Sequence, residues 1–359
     1  MTGPRLGTET REGEVTAMGF KVVQVLEVEG SQVPDYGQMI RLAGFEVEFV
    51  KLHCNTEDEI IAAAQDADAV IGTATFQPFT RRVMEHLARC RFIISMGTGF
   101  ETLDVEAATD HGILAANVPD FCFEEVSDHA MALILACTRR TVQLDRLVHE
   151  GKWKEEAAPD IQQAVWPKMS RLKGQMLGLV GFGRIAQALV PKARGFGMMI
   201  ISHDPYVPPD VFESMDVETV ELDELLAQAD IVSLHIPLTR ETEHLIGLEQ
   251  LRKMKPTAYL VNTARGSIVD QSALYTALSE DHIAGAALDV TDPAPISPDD
   301  SLLGLDNVII TPHSAGISPL SLSELMRRPG EEIIKVLRGQ WPAGLLNPEA
   351  KEAYRRKWG

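Results

Sequence analysis

One stretch of the chain, residues 178–204, constrains the fold more than any other, and it has the sequence GLVGFGRIAQALVPKARGFGMMIISHD. The apolar run that leads into it, 176–181, has the length and composition of a buried parallel strand. A glycine turn follows, then a helical pattern with one apolar face, then a second apolar run that ends on Asp204. Strand, glycine turn, helix, strand and terminal acid form the dinucleotide-binding fingerprint in its required order, so we expect a nucleotide cofactor here.

Each small residue of the turn has a distinct task in such a fingerprint. Gly181 permits the tight turn, Gly183 lets the backbone approach a pyrophosphate, and Ala186 takes the place of the third glycine where helix meets strand. The first-turn amides, from Arg184 and Ile185 onward, then face the phosphates with the helix dipole behind them.

The acid at the end of the second strand indicates which nicotinamide cofactor is bound. Asp204 lies about twenty residues after the glycine turn, where a carboxylate accepts both hydroxyls of the adenosine ribose. No arginine follows at 205 or 206 to bind a 2′-phosphate. We therefore expect NAD rather than NADP.

Composition excludes several other classes of protein. The 359 residues are enough for two ordinary domains, and the net charge of −19 disfavours nucleic acid or an anionic membrane as a partner. The cysteines show no metal-binding spacing, so we expect no metal and four reduced, mostly buried thiols in a cytoplasmic protein. No apolar run reaches the ~18 residues of a membrane span. The start shows no signal peptide, and Met18 is a candidate natural start.

Strands alternate with helical patterns along the whole chain, which predicts parallel, doubly wound sheets. The predicted strands are 21–27, 46–52, 69–73, 91–96 and 113–118, then 176–181, 197–204, 217–221, 231–237, 258–263, 285–290 and 307–312. Predicted helices include 35–43, one opened by a capping box at Thr56–Glu59, and 80–88. A single long helical pattern begins near Glu124 and runs to Gly151, and a last helix over 321–339 is broken by Pro329-Gly330.

Two α/β domains follow from this alternation, and only the second carries the phosphate-binding turn. We predict a disordered tail over 1–17, a substrate domain built from 18–121 and 317–359, and an NAD-binding Rossmann domain over 122–316.

Three polar residues follow predicted strands of the second domain, where open α/β sheets bind their ligands. Arg265 is of the type that binds a carboxylate through two hydrogen bonds, and His313 can donate or accept a proton near neutrality. Asp289 ends a strand between them. The alternatives are a surface arginine, a packed or capping histidine and a turn-capping aspartate. We expect other histidines to lie on helix surfaces or loops, namely His53, His86, His111, His129 and His149.

The chain resembles the D-isomer-specific 2-hydroxyacid dehydrogenase family, which has the formate/glycerate dehydrogenase fold. The motifs that carry the resemblance are GLVGFGRIA, HIPLTRET, VNTARGSIVD, GAALDV and TPHSAG, in family order, and the similarity spans about 19–348. FCFEEVSDHAMALIL and NPE are most similar to the subgroup that includes bacterial relatives of the C-terminal-binding proteins. The resemblance implies two Rossmann-like domains with cofactor and substrate in the cleft between them.

The resemblance also implies roles for individual residues. Arg265 would bind the carboxylate and carbonyl oxygen of a 2-oxo acid, and His313 would protonate that oxygen. The implied substrate site comprises Phe76, Gly97, Thr98, Gly99, Arg265 and His313. The implied cofactor site comprises Gly181, Gly183, Arg184, Ile185, Asp204, His235, Pro237, Thr242, Thr263, Ala264, Asp289, His313, Ala315 and Gly316, with Asp289 meeting the carboxamide side of the nicotinamide.

The chain departs from the family pattern at three places. Ala294 occupies the position of the usual glutamate that pairs with the catalytic histidine, and Asp292 is the nearest acidic substitute. Ser95 stands where an arginine is common, and Pro329-Gly330 lies within the last helix. The first departure bears directly on catalysis, because an alanine cannot stabilise an imidazolium.

Together these observations predict an NAD-dependent 2-hydroxyacid dehydrogenase that works as a 2-oxoacid reductase. We expect it to be cytoplasmic and to form a homodimer through a helical arm over 124–150. Because of Ala294, two alternatives stay open: an NAD(H)-binding regulatory or scaffolding protein with little turnover, or different NAD-dependent chemistry in the same cleft. The sequence does not name the substrate. Phe76, Phe79 and Phe100 in loops of the first domain hint at a partly apolar side chain, although loop aromatics also serve in packing.

Overall fold

The computed structural model describes residues 19–26, 33–154 and 158–358. The chain separates into two compact units, Met1–Pro119 with Ser323–Gly359, and Asp120–Leu322. The sequence-based division placed the corresponding boundaries after residues 121 and 316. The expected tail over 1–17 and the candidate start at Met18 lie outside the described residues.

The first unit contains a five-stranded parallel sheet in the order β2-β1-β3-β4-β5. Its strands are β1 (Phe20–Gln24), β2 (Val47–Lys51), β3 (Ala69–Gly72), β4 (Phe92–Ser95) and β5 (Leu114–Ala116). Its first four helices are α1 (Tyr36–Leu42), α2 (Glu57–Ala64), α3 (Arg81–His86) and α4 (Val105–Asp110). The interior strands β3 and β4 and the edge strand β5 are buried along their whole length, as expected of parallel strands covered on both faces.

Local capping decides where two of these helices begin. The predicted capping box is confirmed at α2, where the Thr56 hydroxyl accepts from the Glu59 amide and the Glu59 carboxylate accepts from the Thr56 amide. Helix α4 was not predicted from the sequence. It begins at Asp104, whose carboxylate accepts from the Ala107 amide at 2.7 Å.

The second unit contains a seven-stranded parallel sheet in the order β12-β11-β10-β9-β6-β7-β8. The strands are β6 (Met176–Val180), β7 (Met199–His203), β8 (Glu218–Thr219), β9 (Ile231–Leu234), β10 (Tyr259–Asn262), β11 (Gly285–Leu288) and β12 (Val308–Ile310). The helices are α5 (Phe123–Arg139), α6 (Thr141–His149), α7 (Ala158–Ala164), α8 (Arg184–Gly195), α9 (Pro209–Ser214), α10 (Leu222–Gln228), α11 (Leu248–Lys253) and α12 (Gln271–Ser279). The strand order reverses between β6 and β9, and open α/β sheets bind ligands at such a point.

The helical pattern predicted as a single element from Glu124 forms two helices, so that prediction is wrong. Arg140 adopts a left-handed backbone, with φ of 53°, and ends α5 before α6 begins. Its guanidinium lies buried, and one nitrogen donates to the Tyr259 hydroxyl and to the Ala284 carbonyl, each at 3.3 Å. These contacts are long-range, and periodicity along the helix cannot reveal them.

The last two helices are α13 (Pro319–Leu337) and α14 (Ala350–Trp358). The break predicted at Pro329-Gly330 is wrong, because α13 continues through the proline. The buried Tyr36 hydroxyl donates to the Met326 carbonyl at 2.5 Å, within the turn that the proline weakens. A Cβ at Gly330 would lie 2.9 Å from the Tyr36 ring, so the glycine allows α1 to pack closely there.

The fold class predicted from the sequence is confirmed: both units are doubly wound α/β structures with parallel sheets. All four cysteines, Cys54, Cys90, Cys122 and Cys137, are free and buried. None of the described helices is long and apolar enough to cross a membrane.

Candidate active site

The glycine turn after β6 lies against the end of β9, at the point where the strand order reverses. Gly181 has φ of 93°, and a Cβ there would lie 2.6 Å from the carbonyl oxygen of His235. Only glycine fits this position. At Gly183, by contrast, an added Cβ would meet nothing within 4 Å, so the backbone there is open to a ligand.

The N-terminus of α8 supplies the donors that a pyrophosphate needs. Among the described residues, the amides of Arg184, Ile185 and Ala186 have no carbonyl partner, as expected of the first helical turn. Asp204, at the end of β7, holds the turn in place through its Oδ2, which accepts from the Phe182 amide at 2.9 Å. The aspartate therefore has a structural task in addition to the ribose contact predicted for it.

Two buried polar atoms at the carboxyl edge of this sheet, one after β9 and one after β10, lack a protein partner. Within the described part of the chain, neither Nδ1 of His235 nor Oγ1 of Thr263 has a hydrogen-bond partner. Nε2 of His235 lies 2.9 Å from the Ser233 hydroxyl, and burial lowers the pKa of His235 to about 4. A neutral imidazole and a hydroxyl without partners call for a polar ligand. Together with the open backbone at Gly183, they fit a dinucleotide.

The loops that carry the remaining predicted cofactor residues are braced internally. The Thr242 hydroxyl donates to the Pro237 carbonyl at 2.7 Å and accepts from the Thr239 amide at 2.8 Å, which fixes the loop after β9. The Ala264 amide donates to the Asn262 side chain at 3.0 Å after β10. These residues are thus held at the carboxyl edge of the sheet.

Arg265 lies at the carboxyl end of β10, in a turn that packs tightly on the loop after β11. A Cβ at Gly266 would lie 2.1 Å from the Thr291 carbonyl oxygen, so this approach requires glycine. Asn262 donates to the Arg265 carbonyl at 2.8 Å, and Nη1 of Arg265 donates to the Ala264 carbonyl at 2.7 Å. The turn therefore holds one terminal nitrogen of the Arg265 guanidinium against the main chain.

Asp289 organises the loop that carries His313. Its side chain is 1% exposed; Oδ1 accepts from the Thr311 hydroxyl at 2.5 Å and the Ser314 amide at 3.0 Å, and Oδ2 accepts from the Ala315 amide at 2.8 Å. The Asp289 carbonyl accepts from the His313 amide at 2.8 Å. The sequence-based expectation that Asp289 meets a nicotinamide carboxamide stays a prediction, whereas its hold on this loop is visible.

His313 itself is exposed and has a left-handed backbone, with φ of 51°. Beyond it, Ala315 is buried against Cys122, and a Cβ at Gly316 would lie 3.1 Å from the Cys122 sulfur. Burial raises the pKa of the Cys122 thiol to about 12, so this cysteine serves as packing under the loop rather than as a nucleophile.

The loop after β11 contains Ala294, at the position where the family resemblance predicts a glutamate, and the nearby acid Asp292. Ala294 is exposed, and its methyl group offers no hydrogen bond. Asp292 is also exposed, and its Oδ2 accepts from the Ser267 hydroxyl at 2.6 Å, next to the Arg265 turn. The nearby acid is therefore engaged in bracing that turn.

In the first unit, the loop after β4 presents a row of amides. The carbonyls of Gly97, Thr98 and Gly99 accept in turn from the Val118 amide (2.9 Å), the Asn117 side chain (2.8 Å) and the Ser95 hydroxyl (3.0 Å). In a trans peptide the N–H points opposite to the C=O. The following amides, Thr98 to Phe100, therefore point opposite to these carbonyls, and among the described residues none of the three donates to a backbone carbonyl, so they can bind an anion.

Ser95 is the brace of this loop, a role that the sequence did not reveal. It is 1% exposed, donates to Gly99 and accepts from the Ala74 amide at 2.9 Å, so it ties the loops after β3 and β4 together. Of the aromatic residues in these loops, Phe76 is 70% and Phe100 38% exposed. Phe79 is fully buried in the core, so its expected place in a substrate-facing loop is wrong.

His129 is a second functional candidate that sequence analysis missed. It was expected on a helix surface, yet its Nε2 lies 3.0 Å from the Thr311 hydroxyl and 3.5 Å from Oδ1 of Asp289. No sequence signal links residues so far apart in the chain.

An anion-binding glycine turn where the strand order reverses, with an arginine after β10 and a histidine after β12 at the same edge of the sheet, is the arrangement of a nicotinamide-dependent oxidoreductase. The family model for the D-isomer specific 2-hydroxyacid dehydrogenase NAD binding domain matches residues 131–315. The chain is 44% identical over 294 residues to a glyoxylate reductase of Korarchaeum cryptofilum, covering 81% of this chain and 86% of the relative.

Two further comparisons extend this result. A D-3-phosphoglycerate dehydrogenase of Methanocaldococcus jannaschii is 40% identical over 81% of this chain, which spans 54% of that protein. The holo form of Rhodotorula graminis D-mandelate dehydrogenase superposes with a TM-score of 0.82 at 26% identity, covering 91% of this chain and 97% of the other. This chain belongs to the D-isomer-specific 2-hydroxyacid dehydrogenase family. It binds NAD and interconverts a 2-oxo acid and a 2-hydroxy acid.

Proposed function

We propose that the protein works as an NAD-linked reductase of 2-oxo acids, with Arg265 and His313 as its catalytic residues. The observation that carries this assignment is their placement: Arg265 follows β10, His313 follows β12, and Asp289 at the end of β11 anchors the histidine loop. Parallel strands bring these three positions to one edge of the sheet.

Each residue has a task that suits its chemistry. The Arg265 guanidinium binds the substrate carboxylate in a planar, two-point contact. The amides of Thr98, Gly99 and Phe100 bind a carboxylate oxygen. When bound, NADH would supply the hydride for C2, and His313 would donate the proton that converts the carbonyl oxygen into the hydroxyl of the D-2-hydroxy acid.

The assignment is tested by following NADH oxidation with a panel of 2-oxo acids for the wild type and Arg265→Lys. Lysine is a point donor and cannot reproduce the planar contact, so kcat/KM should fall on the order of a hundredfold while the Kd for NADH stays within about twofold. Arg252→Lys, at an exposed position on α11 of the same unit, is the matched control. Near-normal activity of Arg265→Lys would refute the role of Arg265.

The exposed Ala294 favours one alternative: an NAD(H)-binding regulatory protein with little turnover. The same experiment separates the two proposals. Tight NADH binding without oxidation of NADH by any 2-oxo acid would favour the regulatory protein.

We further propose that the substrate carries an apolar, uncharged side chain. The loops after β3 and β4, residues 73–79 and 96–103, contain no lysine or arginine, and Glu101 is their single charged residue. Phe76 and Phe100 are the exposed large apolar side chains of these loops. A phosphate or a second carboxylate would find no cation there, whereas an aryl or alkyl group finds apolar surface.

This substrate class predicts that phenylpyruvate is reduced with a higher kcat/KM than glyoxylate or 3-phosphohydroxypyruvate. Phe76→Ala and Phe100→Ala should each lower kcat/KM for phenylpyruvate by about tenfold and leave that for glyoxylate within about twofold. Phe196→Ala, at a 46% exposed position in the second unit, is the matched control. Equal losses for both substrates would refute the specificity role.

We also propose a homodimer formed through the helical arm, residues 124–150, and the segment that follows it. Exposed apolar side chains are concentrated there, at Val142, Val148, Trp153 and Trp166. A cavity of about 510 Å³ lies nearby. Among the described residues, it is lined by four buried polar atoms without partners, on Arg140, Gln143, Ser170 and Gln175. A second copy would cover these apolar groups.

Light scattering coupled to gel filtration tests the dimer. Trp153→Ser should shift the mass toward the monomer, whereas Leu42→Ser, at an 81% exposed position in the first unit, should not. A wild-type monomer would refute the proposal.

A cytoplasmic location, supported by the four free, buried cysteines, is tested by cell fractionation.

A further inference from the structure

A short chain of hydrogen bonds connects helix α5 to the loop of His313. Nε2 of His129 lies 3.0 Å from Oγ1 of Thr311, and Oγ1 of Thr311 lies 2.5 Å from Oδ1 of Asp289. A hydroxyl has a single proton, and the buried carboxylate can only accept, so Thr311 donates to Asp289. Thr311 must therefore accept from His129, whose Nε2 carries a proton.

The far end of this chain is the backbone of the histidine loop. Asp289 accepts from the Ser314 and Ala315 amides through its side chain and from the His313 amide through its carbonyl. His313 needs such support, because its left-handed backbone is unfavourable for a residue with a side chain. The conformation of the proton donor thus depends on Asp289 keeping its orientation.

The other end of this hydrogen-bond chain, at His129 and Thr311, helps to fix the orientation of the Asp289 side chain. Both oxygens of Asp289 are engaged, and the donation from His129 keeps the single proton of the Thr311 hydroxyl directed at Oδ1 of Asp289. Nε2 of His129 also lies 3.5 Å from Oδ1 of Asp289, so the imidazole packs against the carboxylate as well as against Thr311.

We propose that His129 is a positioning residue for His313: by donating to Thr311 it orients the hydroxyl that holds Asp289 and, through Asp289, the catalytic loop. The inference rests on the proposed function, since it presupposes that His313 is the proton donor. His129 contacts neither substrate nor cofactor in this account.

The test compares His129→Leu, which cannot donate, with His129→Gln, whose amide nitrogen can. His129→Leu should lower kcat for 2-oxo acid reduction by about tenfold or more, since small misplacements of catalytic groups cost this much. The Kd for NADH should stay within about twofold, and His129→Gln should recover most of the loss. His86→Leu, at an exposed histidine of α3, is the matched control.

A double-mutant cycle and hydrogen exchange complete the test. Thr311→Val removes the intermediate hydroxyl, so the double variant with His129→Leu should be no slower than Thr311→Val alone. Amide exchange at 311–316 should accelerate in His129→Leu. Additive losses, unchanged exchange, or a kcat of His129→Leu within twofold of wild type would overturn the proposal. If the wild type reduces no 2-oxo acid, the proposed function fails, and the exchange measurement still decides whether His129 holds the loop.

Discussion

Replacing each of the two glycines of the β6–α8 turn by alanine should separate folding from cofactor binding. At Gly181 the backbone has φ of 93°, and an added Cβ would lie 2.6 Å from the His235 carbonyl oxygen and 2.7 Å from Cγ2 of Ile236. At Gly183 φ is −73°, and an added Cβ would meet nothing within 4 Å. The same substitution therefore has two different consequences only two residues apart.

The magnitudes follow from the geometry. Gly181→Ala combines backbone strain, about 1–3 kcal/mol, with overpacking against a rigid main chain, about 1–3 kcal/mol, so the free energy of unfolding should fall by roughly 2–6 kcal/mol. For a unit of this size each kcal/mol shifts Tm by about 2–4 °C. Gly183→Ala should leave Tm within about 2 °C, but its methyl group would stand where the pyrophosphate approaches, raising the Kd for NADH by about tenfold.

Thermal unfolding and fluorescence titration with NADH measure the two effects separately. Gly195→Ala is the matched control, since it lies at the end of the same helix, and an added Cβ there also meets nothing within 4 Å. It should leave the Kd for NADH unchanged and should not lower Tm, because alanine favours a helix more than glycine does. If Gly183→Ala bound NADH as tightly as the wild type, the open backbone at this glycine would not be the pyrophosphate site.

Four further predictions concern other residues. The Asp204 carboxylate should repel the 2′-phosphate and so weaken transition-state binding with NADPH relative to NADH by on the order of 2–4 kcal/mol. Asp204→Ala should therefore bring the kcat/KM values for NADH and NADPH closer together. An unchanged ratio of the two kcat/KM values would contradict this prediction. Ser95→Ala should raise KM for the 2-oxo acid by about tenfold with the Kd for NADH unchanged, since it loosens only the first unit's amide row; Ser95→Thr should restore KM if the hydroxyl is what matters. Because burial lowers the pKa of His235 to about 4, the unfolded chain takes up a proton first as the pH falls. The free energy of unfolding should therefore decrease between about pH 6.5 and pH 4, and His235→Gln should show a shallower decrease in urea titrations. Ala294→Glu should move the alkaline limb of the reduction pH–rate profile to higher pH, because a carboxylate stabilises the imidazolium form of His313. Superimposable profiles of the two proteins would show that the loop keeps residues 294 and 313 apart.

Several features of the protein follow from local sequence alone. The glycine turn between Val180 and Arg184 requires a backbone that only glycine adopts, and the acid at Asp204 follows at a fixed spacing, so the cofactor site was recognisable without a structure. The capping box at Thr56 was equally visible, since both of its hydrogen bonds lie within one helical turn. Alternation of apolar runs with helical patterns was enough to predict both parallel sheets.

Other features depend on partners that are distant in the chain. Pro329 does not break α13, because Tyr36 from the first helix donates to a carbonyl of the weakened turn. Arg140 divides the predicted long helix, because its guanidinium is held by Tyr259 and the Ala284 carbonyl. In each case a tertiary contact outweighed a local preference.

The residues of the active site fall into the same two groups, those recognisable from local sequence and those that depend on distant partners. The sequence predicts which residues lie at the strand ends, because parallel strands place their carboxyl ends along one edge of the sheet. It does not predict which residues hold them there: Ser95 braces its loop through Gly99 and Ala74, and His129 reaches Thr311 across 182 positions of the chain. Hydrogen bonds of this kind leave no periodicity or spacing in the sequence, since they form only when packing brings their partners together.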